Sequence, residues 1–342
     1  MELEKYSGKG LTGLSNLGNT CFLNSTIQCL SHCYELNEFL DSEKWKLHLN
    51  EKNDTLLFIE WNNLRKLIWS ENCVISPGRF VTTVQKVSSV KQIDLFTGFA
   101  QNDLPEFLLF IMDCFHNSIN RNVKITVSGK ILNNKDKLAK ECYLMIKNMY
   151  SKDYSEILDI FYGIHVSIIK DTNYKILNNT PEPYFLINLP IPQDNNPSLY
   201  DCFDLYTNEE FLNGIDKYDY NGKKIDAFRE IKFWSFPNIL VIDLKRFNTN
   251  GKKNNKLVTF PLEDLTLVKY CVGYNKESYV YDLFGICNHS GGTLGGHYTS
   301  YIKNRNDNWY HYNDTSVKKI ENIDDLISNK AYCLFYRKKN ID

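Results

Sequence analysis

The hydrophobic pattern changes its period between residues 119 and 184, and this change restricts the fold more than any other feature of the chain. Before it, apolar residues recur at helical spacing. NDTLLFIEWNNLRKLIW (53–69) sets Leu57, Trp61, Leu64 and Ile68 three or four apart, on one face of a helix. QNDLPEFLLFIMDCFHNSI (101–119) predicts another helix. Asp103 is a suitable N-cap, Pro105 falls in the first turn, and Phe107, Ile111, Cys114 and Phe115 would face a core. SPGRF (76–80) reads as a turn leading into VTTVQKV. After the change come short runs rich in aromatic and β-branched residues: YFLINLPIP (184–192), FPNILVIDLKRF (236–247), YVYDLFGICNHS (279–290), HYTSYIKN (297–304), NWYHYND (308–314) and AYCLFYRK (331–338). The turn signals GGTLGG (291–296) and NRNDN (304–308) separate some of them. A helical lobe followed by an antiparallel-rich lobe is an α+β chain. Its 342 residues hold no internal repeat and no long linker, so closely packed lobes in one domain (1–342) are expected.

Charge excludes some partners. There are 40 basic and 41 acidic residues, so nothing electrostatic points to nucleic acid or an anionic membrane. No apolar run is long enough to span a bilayer, and MELEKYSGKG lacks the apolar core of a secretory signal. The ten cysteines are scattered, several in apolar surroundings, and none forms a CxxC pair. That usage suits reduced thiols in the cytoplasm or nucleus. NNKDK (133–137) and GKKNNK (251–256) read as solvated loops.

The stretch SNLGNTCFLNSTIQCLSHC (15–33) carries three of the cysteines. LGNT is a turn, and the residues from Cys21 onward can wind as a helix with Phe22, Ile27 and Leu30 inward, capped by Thr20 or Asn19. Cys21 then sits at a helix N-terminus, where free N–H groups and the dipole favour a thiolate and can bring a thiol pKa to about 3.5–7.5. Cys29 and Cys33 lack that position and read as packing residues. A cysteine nucleophile needs a base. His297, in GGTLGGHYTSYI, follows glycines that let the backbone pass close to something; on the residues alone, a plain hairpin turn is an equal reading. Pairing HYTSYIKN with NWYHYND through a turn near NRNDN brings His297 and Asn313 to the same end of the hairpin. The order Cys, His, Asn is that of papain-type cysteine proteases.

Four segments resemble the ubiquitin-specific proteases. GLSNLGNTCFLNSTIQCL (13–30) is similar to their Cys box and GGHYTSYIKNRNDNWYHYNDTSV (295–317) to their His box. QNDLPEFL (101–108) is similar to their QQDAxEFL segment and PNILVIDLKRF (237–247) to their strand ending in LKRF. The resemblance runs from residue 10 to about 337. It implies a thumb–palm–fingers arrangement, with a helical thumb over about 10–155 and a strand-rich palm and fingers over about 156–342. It implies a thiol deubiquitinase in which Cys21 attacks the carbonyl of the last glycine of ubiquitin, His297 moves the proton and Asn313 orients the imidazole. Asn16 matches the oxyanion-hole asparagine, and Asp314 is an auxiliary or alternate third member. The ubiquitin tail, Leu-Arg-Leu-Arg-Gly-Gly, asks for carboxylates and a narrow slot, to which Asp103, Glu106, Gly296 and Tyr298 are assigned.

Many members hold a structural zinc in the fingers through two CxxC pairs. The matching regions, IHVSIIKDTNYK (164–175) and KYDYNGKKIDAF (217–228), have no cysteine, and Tyr218 and Asn221 stand at ligand positions. No metal and no other cofactor is expected. The partners implied are ubiquitin and ubiquitinated proteins, acted on by a monomer. Three alternatives remain open: an inactive ubiquitin-binding module, a protease for a ubiquitin-like modifier, and a metal-binding scaffold of Cys29, Cys33, Cys287 and His289.

Overall fold

The computed structural model describes residues 3–248, 250–292 and 295–339. Eight α-helices are among them: α1 (Cys21–Ser31), α2 (Tyr34–Asp41), α3 (Asp54–Ile68), α4 (Gly78–Val90), α5 (Leu104–Ile119), α6 (Asn134–Tyr150), α7 (Glu156–Phe161) and α8 (Leu199–Thr207). All but α8 precede the long strands. The expected inward residues of α3 and α5, from Leu57 to Phe115, are buried, as the helical spacing requires. VTTVQKV is helical, within α4. Its β-branched residues lower helix propensity, yet Phe80, Val81, Val84 and Val87 form a buried stripe, and packing overrides propensity. NNKDK is not a loop: the Asn133 side chain accepts the Asp136 N–H at 3.0 Å and caps α6.

Strands β1 (Gly13–Leu14) and β2 (Val74–Ile75) pair in parallel. The strand lobe holds β3 (Gly163–Asp171), β4 (Ile176–Tyr184), β5 (Leu186–Pro190), β6 (Glu210–Leu212), β7 (Tyr218–Tyr220), β8 (Lys223–Ile225), β9 (Ala227–Ser235), β10 (Ile239–Lys245), β11 (Leu265–Thr266), β12 (Val280–Gly292), β13 (Gly295–Lys303), β14 (Trp309–Asn313), β15 (Ser316–Lys319) and β16 (Ala331–Lys338). The main sheet runs β15-β14-β13-β12-β16-β10-β5, with β11 on β12. Its pairings are antiparallel except β10 with β5. Strand alternation splits the core. Ile239, Val241, Cys333 and Phe335 face the helices, whereas Leu240, Ile242, Leu334 and Tyr336 join α8 on the other face. Each fully buried large apolar side chain contributes about 1.5–3 kcal/mol. Thr293 and Leu294, the centre of the expected GGTLGG turn, lie outside the described residues.

A second sheet, β4-β3-β9-β6, packs on α6 through Val166, Ile168, Ala139 and Cys142. Beside it β7 and β8 form a hairpin whose turn is Asn221-Gly222, with φ of +55° and +81°. Both values are positive, as a two-residue type I′ turn demands. Asn221, at the would-be ligand position, therefore serves backbone geometry, and the residues at these positions do not fit a zinc ion. Among the described residues no three His, Cys, Asp or Glu side chains are grouped to hold a metal. No described helix is long and apolar enough to cross a membrane.

His32 links burial to pH. It is buried at the end of α1, Nδ1 lies 2.9 Å from the Gln28 carbonyl, and burial lowers its pKa to about 4. The unfolded chain therefore binds a proton that the folded chain refuses between pH 6.5 and about 4. Stability is full above this window and falls as pH drops through it, by about 2 kcal/mol at pH 5 from this group. In urea titrations, His32→Gln should be less stable than wild type at pH 7 yet lose less on going to pH 5. An equal loss in both proteins would show that His32 does not carry the effect.

Candidate active site

The turn before α1 is built by Asn16. Its Oδ1 accepts the N–H groups of Gly18 (3.2 Å) and Thr20 (3.1 Å). Gly18 and Asn19 take positive φ, +95° and +56°, which glycine and asparagine tolerate best. Thr20 occupies the N-cap position, but its hydroxyl accepts from Leu17 N–H instead of capping the helix. The Cys21 sulfur meets the backbone amides of Tyr298, Phe22 and Cys21 itself. These lower its pKa, as the helix N-terminus predicts, but burial raises it more and the Asp314 charge adds to the rise. The net shift is upward, a correction to the expected depressed thiol. Cys21 is 2% exposed, and desolvation outweighs the amide dipoles.

His297 stands on β13 and Asn313 ends β14. The strands pair antiparallel with Ser300 opposite Tyr312 and Lys303 opposite Trp309. This register closes the hairpin near residues 304–308 and leaves its open end at His297 and Asn313, whose Nε2 and Oδ1 lie 2.7 Å apart. Helix α1 lies against the same strand, where Ser25 Oγ donates to the Thr299 carbonyl at 3.0 Å. The structure thus brings Cys21 beside the residue that follows His297.

Asp314 points away from the imidazole's partner. Its Oδ2 accepts from Asn16 Nδ2 (3.0 Å), its Oδ1 from Asn24 Nδ2 (2.8 Å), and its carbonyl from Leu14 N–H (2.8 Å). Gly13 must be glycine for this contact, because a Cβ there would lie 2.3 Å from the Thr315 carbonyl oxygen. Asp314 therefore clips the Cys21 turn to the β14–β15 turn. Asn24, a buried asparagine three residues after Cys21, was not singled out by the sequence; its signal is a polar residue on the core side of an apolar helix.

Of the remaining expected residues, Asp103 and Tyr298 line a cavity of about 220 Å³ together with Gln101, Phe247 and His289, whereas Glu106 and Gly296 lie outside its lining. Larger cavities of about 430 and 480 Å³ lie elsewhere, so chemistry and not size marks this one. Asp103 precedes α5 but does not cap it; its Oδ1 accepts from the hydroxyls of Tyr332 (2.9 Å) and Tyr298 (3.1 Å). Burial lifts the Asp103 pKa despite these bonds. Glu106 is exposed on the first turn of α5, its pKa raised by partial desolvation and then by Asp103. A Cβ at Gly296 would lie 2.3 Å from His289 Nε2, so only glycine fits beside that ring. His289 is buried against Tyr298, with its pKa lowered to about 4 by burial and Lys253. Beneath them Asp243, held by Asn188 at 2.6 Å, is pushed up to about 8 by burial and then by Asp103.

Gln101 is a further site residue whose importance appears only in three dimensions. Its Nε2 donates to the Gly296 carbonyl (2.5 Å) and its Oε1 accepts the Gly296 N–H (2.6 Å), a two-point bridge from the helical lobe to the residue before His297. Gln101→Ala should lower kcat about tenfold by freeing this backbone, the loss expected of hydrogen bonds that hold a reacting group in place. Steady-state kinetics check it; an unchanged kcat would refute it.

The set Cys29, Cys33, Cys287 and His289 does not come together as a ligand group among the described residues. Cys29 and Cys287 touch at 3.5 Å in the core, Cys33 Sγ lies 3.7 Å from Glu35, and His289 packs among aromatic rings.

The model of the ubiquitin carboxyl-terminal hydrolase family matches residues 12–336. Human ubiquitin carboxyl-terminal hydrolase 2 is 35% identical over 98% of this chain, and the match covers 56% of the human protein. The chain thus spans about half the length of that relative. Chicken ubiquitin carboxyl-terminal hydrolase 2 is 34% identical, with 96% of this chain and 93% of the chicken protein matched. Among solved structures, a chain of the SAGA DUB module Ubp8/Sgf11/Sus1/Sgf73 bound to monoubiquitin superposes with a TM-score of 0.75 at 22% identity, over 100% of this chain and 71% of that one. The α+β fold is therefore the papain-like fold of those structures. Taken with the family match along nearly its whole length, these similarities show that the chain belongs to the ubiquitin carboxyl-terminal hydrolase family.

Proposed function

We propose that this chain is a thiol-dependent deubiquitinase that hydrolyses the isopeptide or peptide bond after the C-terminal glycine of ubiquitin. The observation that supports it most is the 2.7 Å bond between His297, on the strand β13 that adjoins Cys21, and Asn313 at the end of β14. Asn313 Oδ1 can only accept, so imidazole Nε2 holds a proton and Nδ1 is left as the base. Nδ1 takes the Cys21 proton, and the sulfur attacks the glycine carbonyl carbon. The developing oxyanion meets the second Nδ2 hydrogen of Asn16 and the Cys21 backbone N–H. His297 returns the proton to the leaving amine, and a thioester remains. Water, deprotonated by His297, then attacks the thioester, releasing the ubiquitin carboxylate and the Cys21 thiol. Asp314 holds Asn16 in place. Asp103, through the Oδ2 that its two tyrosines leave free, and Glu106 would meet the tail arginines, while Gly296 and Tyr298 wall the glycine slot.

In this reading residues 1–342 form one catalytic domain, with a thumb over about 10–155 and palm and metal-free fingers over about 156–342. Ten free cysteines suit a reducing compartment, cytoplasmic or nuclear. The buried, upward-shifted Cys21 thiol is the one observation that favours a second reading, a ubiquitin-binding module without catalysis. Incubation with ubiquitin bearing a C-terminal electrophile separates them, and ubiquitin-like modifiers with the same electrophile test selectivity. An adduct with wild type, absent in Cys21→Ala, is expected. Retained ubiquitin binding without adduct would overturn the catalytic reading.

A further inference from the structure

A cavity of about 430 Å³ lies between α2 and the strands β12, β13 and β16, at the turn end of the β13–β14 hairpin and away from His297 and Asn313. Its wall is unusual in charge and in unmet hydrogen-bonding capacity. Arg337 is fixed there: Nε donates to Glu35 (2.8 Å), one terminal nitrogen donates to the His32 carbonyl (2.9 Å), and the guanidinium lies 4.6 Å from the Tyr34 ring and 4.5 Å from the Phe284 ring. Arg305, in the hairpin turn, makes no hydrogen bond or ion pair among the described residues, and its Nε is buried without an acceptor. The Tyr34 hydroxyl is also buried and has no partner among the described residues, in a residue only 4% exposed. Both guanidiniums act on that hydroxyl, opposing the burial that raises its pKa to about 12.

The acids of the cavity are already matched. Glu35 pairs with Arg337, Asp282 with Lys339 at 3.1 Å and Asp307 with Lys303 at 3.3 Å. Arg305 and Lys338 remain without acidic partners among the described residues, and Lys338 rests over the Tyr279 ring. A buried donor without an acceptor costs about 1–3 kcal/mol, and a charged one costs more. A ligand that brings several acceptor oxygens and two negative charges removes these costs together. A phosphoryl dianion has that charge and offers three acceptor oxygens. Guanidinium forks match its geometry. The cavity exceeds one oxyanion and leaves room for an organic body.

We propose that this cavity binds the phosphoryl group of a small phosphate monoester, with Arg305, Tyr34 and Arg337 as its donors and Lys338 as a supporting charge. The site is independent of the deubiquitinase reading and is tested without ubiquitin. Thermal unfolding of the whole chain is followed while inorganic phosphate or glycerol phosphate is titrated at constant ionic strength against chloride. Both should raise the unfolding temperature saturably, and the ester should do so at lower concentration. Arg305→Gln should weaken binding about tenfold, the loss of one charged hydrogen-bonding partner. Tyr34→Phe should weaken it several-fold while leaving the unliganded protein at least as stable, since it removes a buried hydroxyl that has no partner. Lys86→Gln, an exposed charge change elsewhere, should bind as wild type does. Tighter binding of the ester assigns the organic body to the cavity; equal binding leaves a phosphoryl site whose ligand is free phosphate and overturns the ester. No shift beyond chloride, or equal weakening by Lys86→Gln and Arg305→Gln, overturns the site itself.

Discussion

His297→Ala should reduce hydrolysis of a ubiquitin-linked amide at neutral pH by about 10⁴-fold, and its residual rate should climb as pH rises. The reason lies in the Cys21 thiol, whose pKa is above its ordinary value of 9.0 because the sulfur is buried. Without an imidazole to take the proton, only the small ionised fraction reacts. That fraction grows about tenfold per pH unit below the thiol pKa. Between pH 7 and 9 the variant should therefore show a log-rate slope near one. Wild type, whose base removes the proton within the complex, should show a shallower slope over the same range. A variant that loses less than about tenfold, or whose rate does not respond to pH, would remove His297 from the reaction. Adduct formation at high pH with the electrophilic ubiquitin separates loss of chemistry from loss of fold.

The second large effect concerns Asn16 and Asp314. Asn16→Ala should lower kcat by about 10²–10³-fold with little change in KM, the usual loss for one oxyanion donor. Asp314→Ala should reproduce much of that loss, because Asp314 Oδ2 holds Asn16 Nδ2 at 3.0 Å. The double variant should fall little below the worse single variant, since the two residues act as a unit. Additive losses, or losses in KM alone, would mean that Asp314 serves something other than Asn16. Asn16→Asp keeps an acceptor for Gly18 and Thr20 but sets a carboxylate against Asp314. It should be as inactive as Asn16→Ala, which distinguishes the donor role from the turn-building role.

Local pattern made much of this site readable. Cys21 at the start of an apolar helix, and a strand pair whose turn brings His297 and Asn313 to the same end, depend on intervals of 3.6 and 2 residues within short segments. The same intervals place Leu57, Trp61, Phe107 and Phe115 in the core. Pattern fails where packing overrides propensity, as in the β-branched helix α4, and where a polar segment hides a cap, as Asn133 does in NNKDK. It also fails at α6, which buries only Ala139 and Cys142 and so shows little apolar periodicity.

By itself, then, the chain determined the helical first part and the strand-rich second part, the helix that begins at Cys21 and the hairpin of His297 and Asn313, because each rests on neighbours along the backbone. Only the tertiary structure decided what those side chains meet. Asp103 reads as a helix cap, yet its oxygen accepts from tyrosines 195 and 229 positions away. Asp314 reads as an auxiliary or alternate partner of the imidazole, and its carboxylate accepts from amides 298 and 290 positions away. Cys21 reads as a depressed thiol from its helix position, yet burial beneath β13 raises it. Desolvation and polar pairing depend on which distant elements close over a group, and no interval in the sequence records that closure.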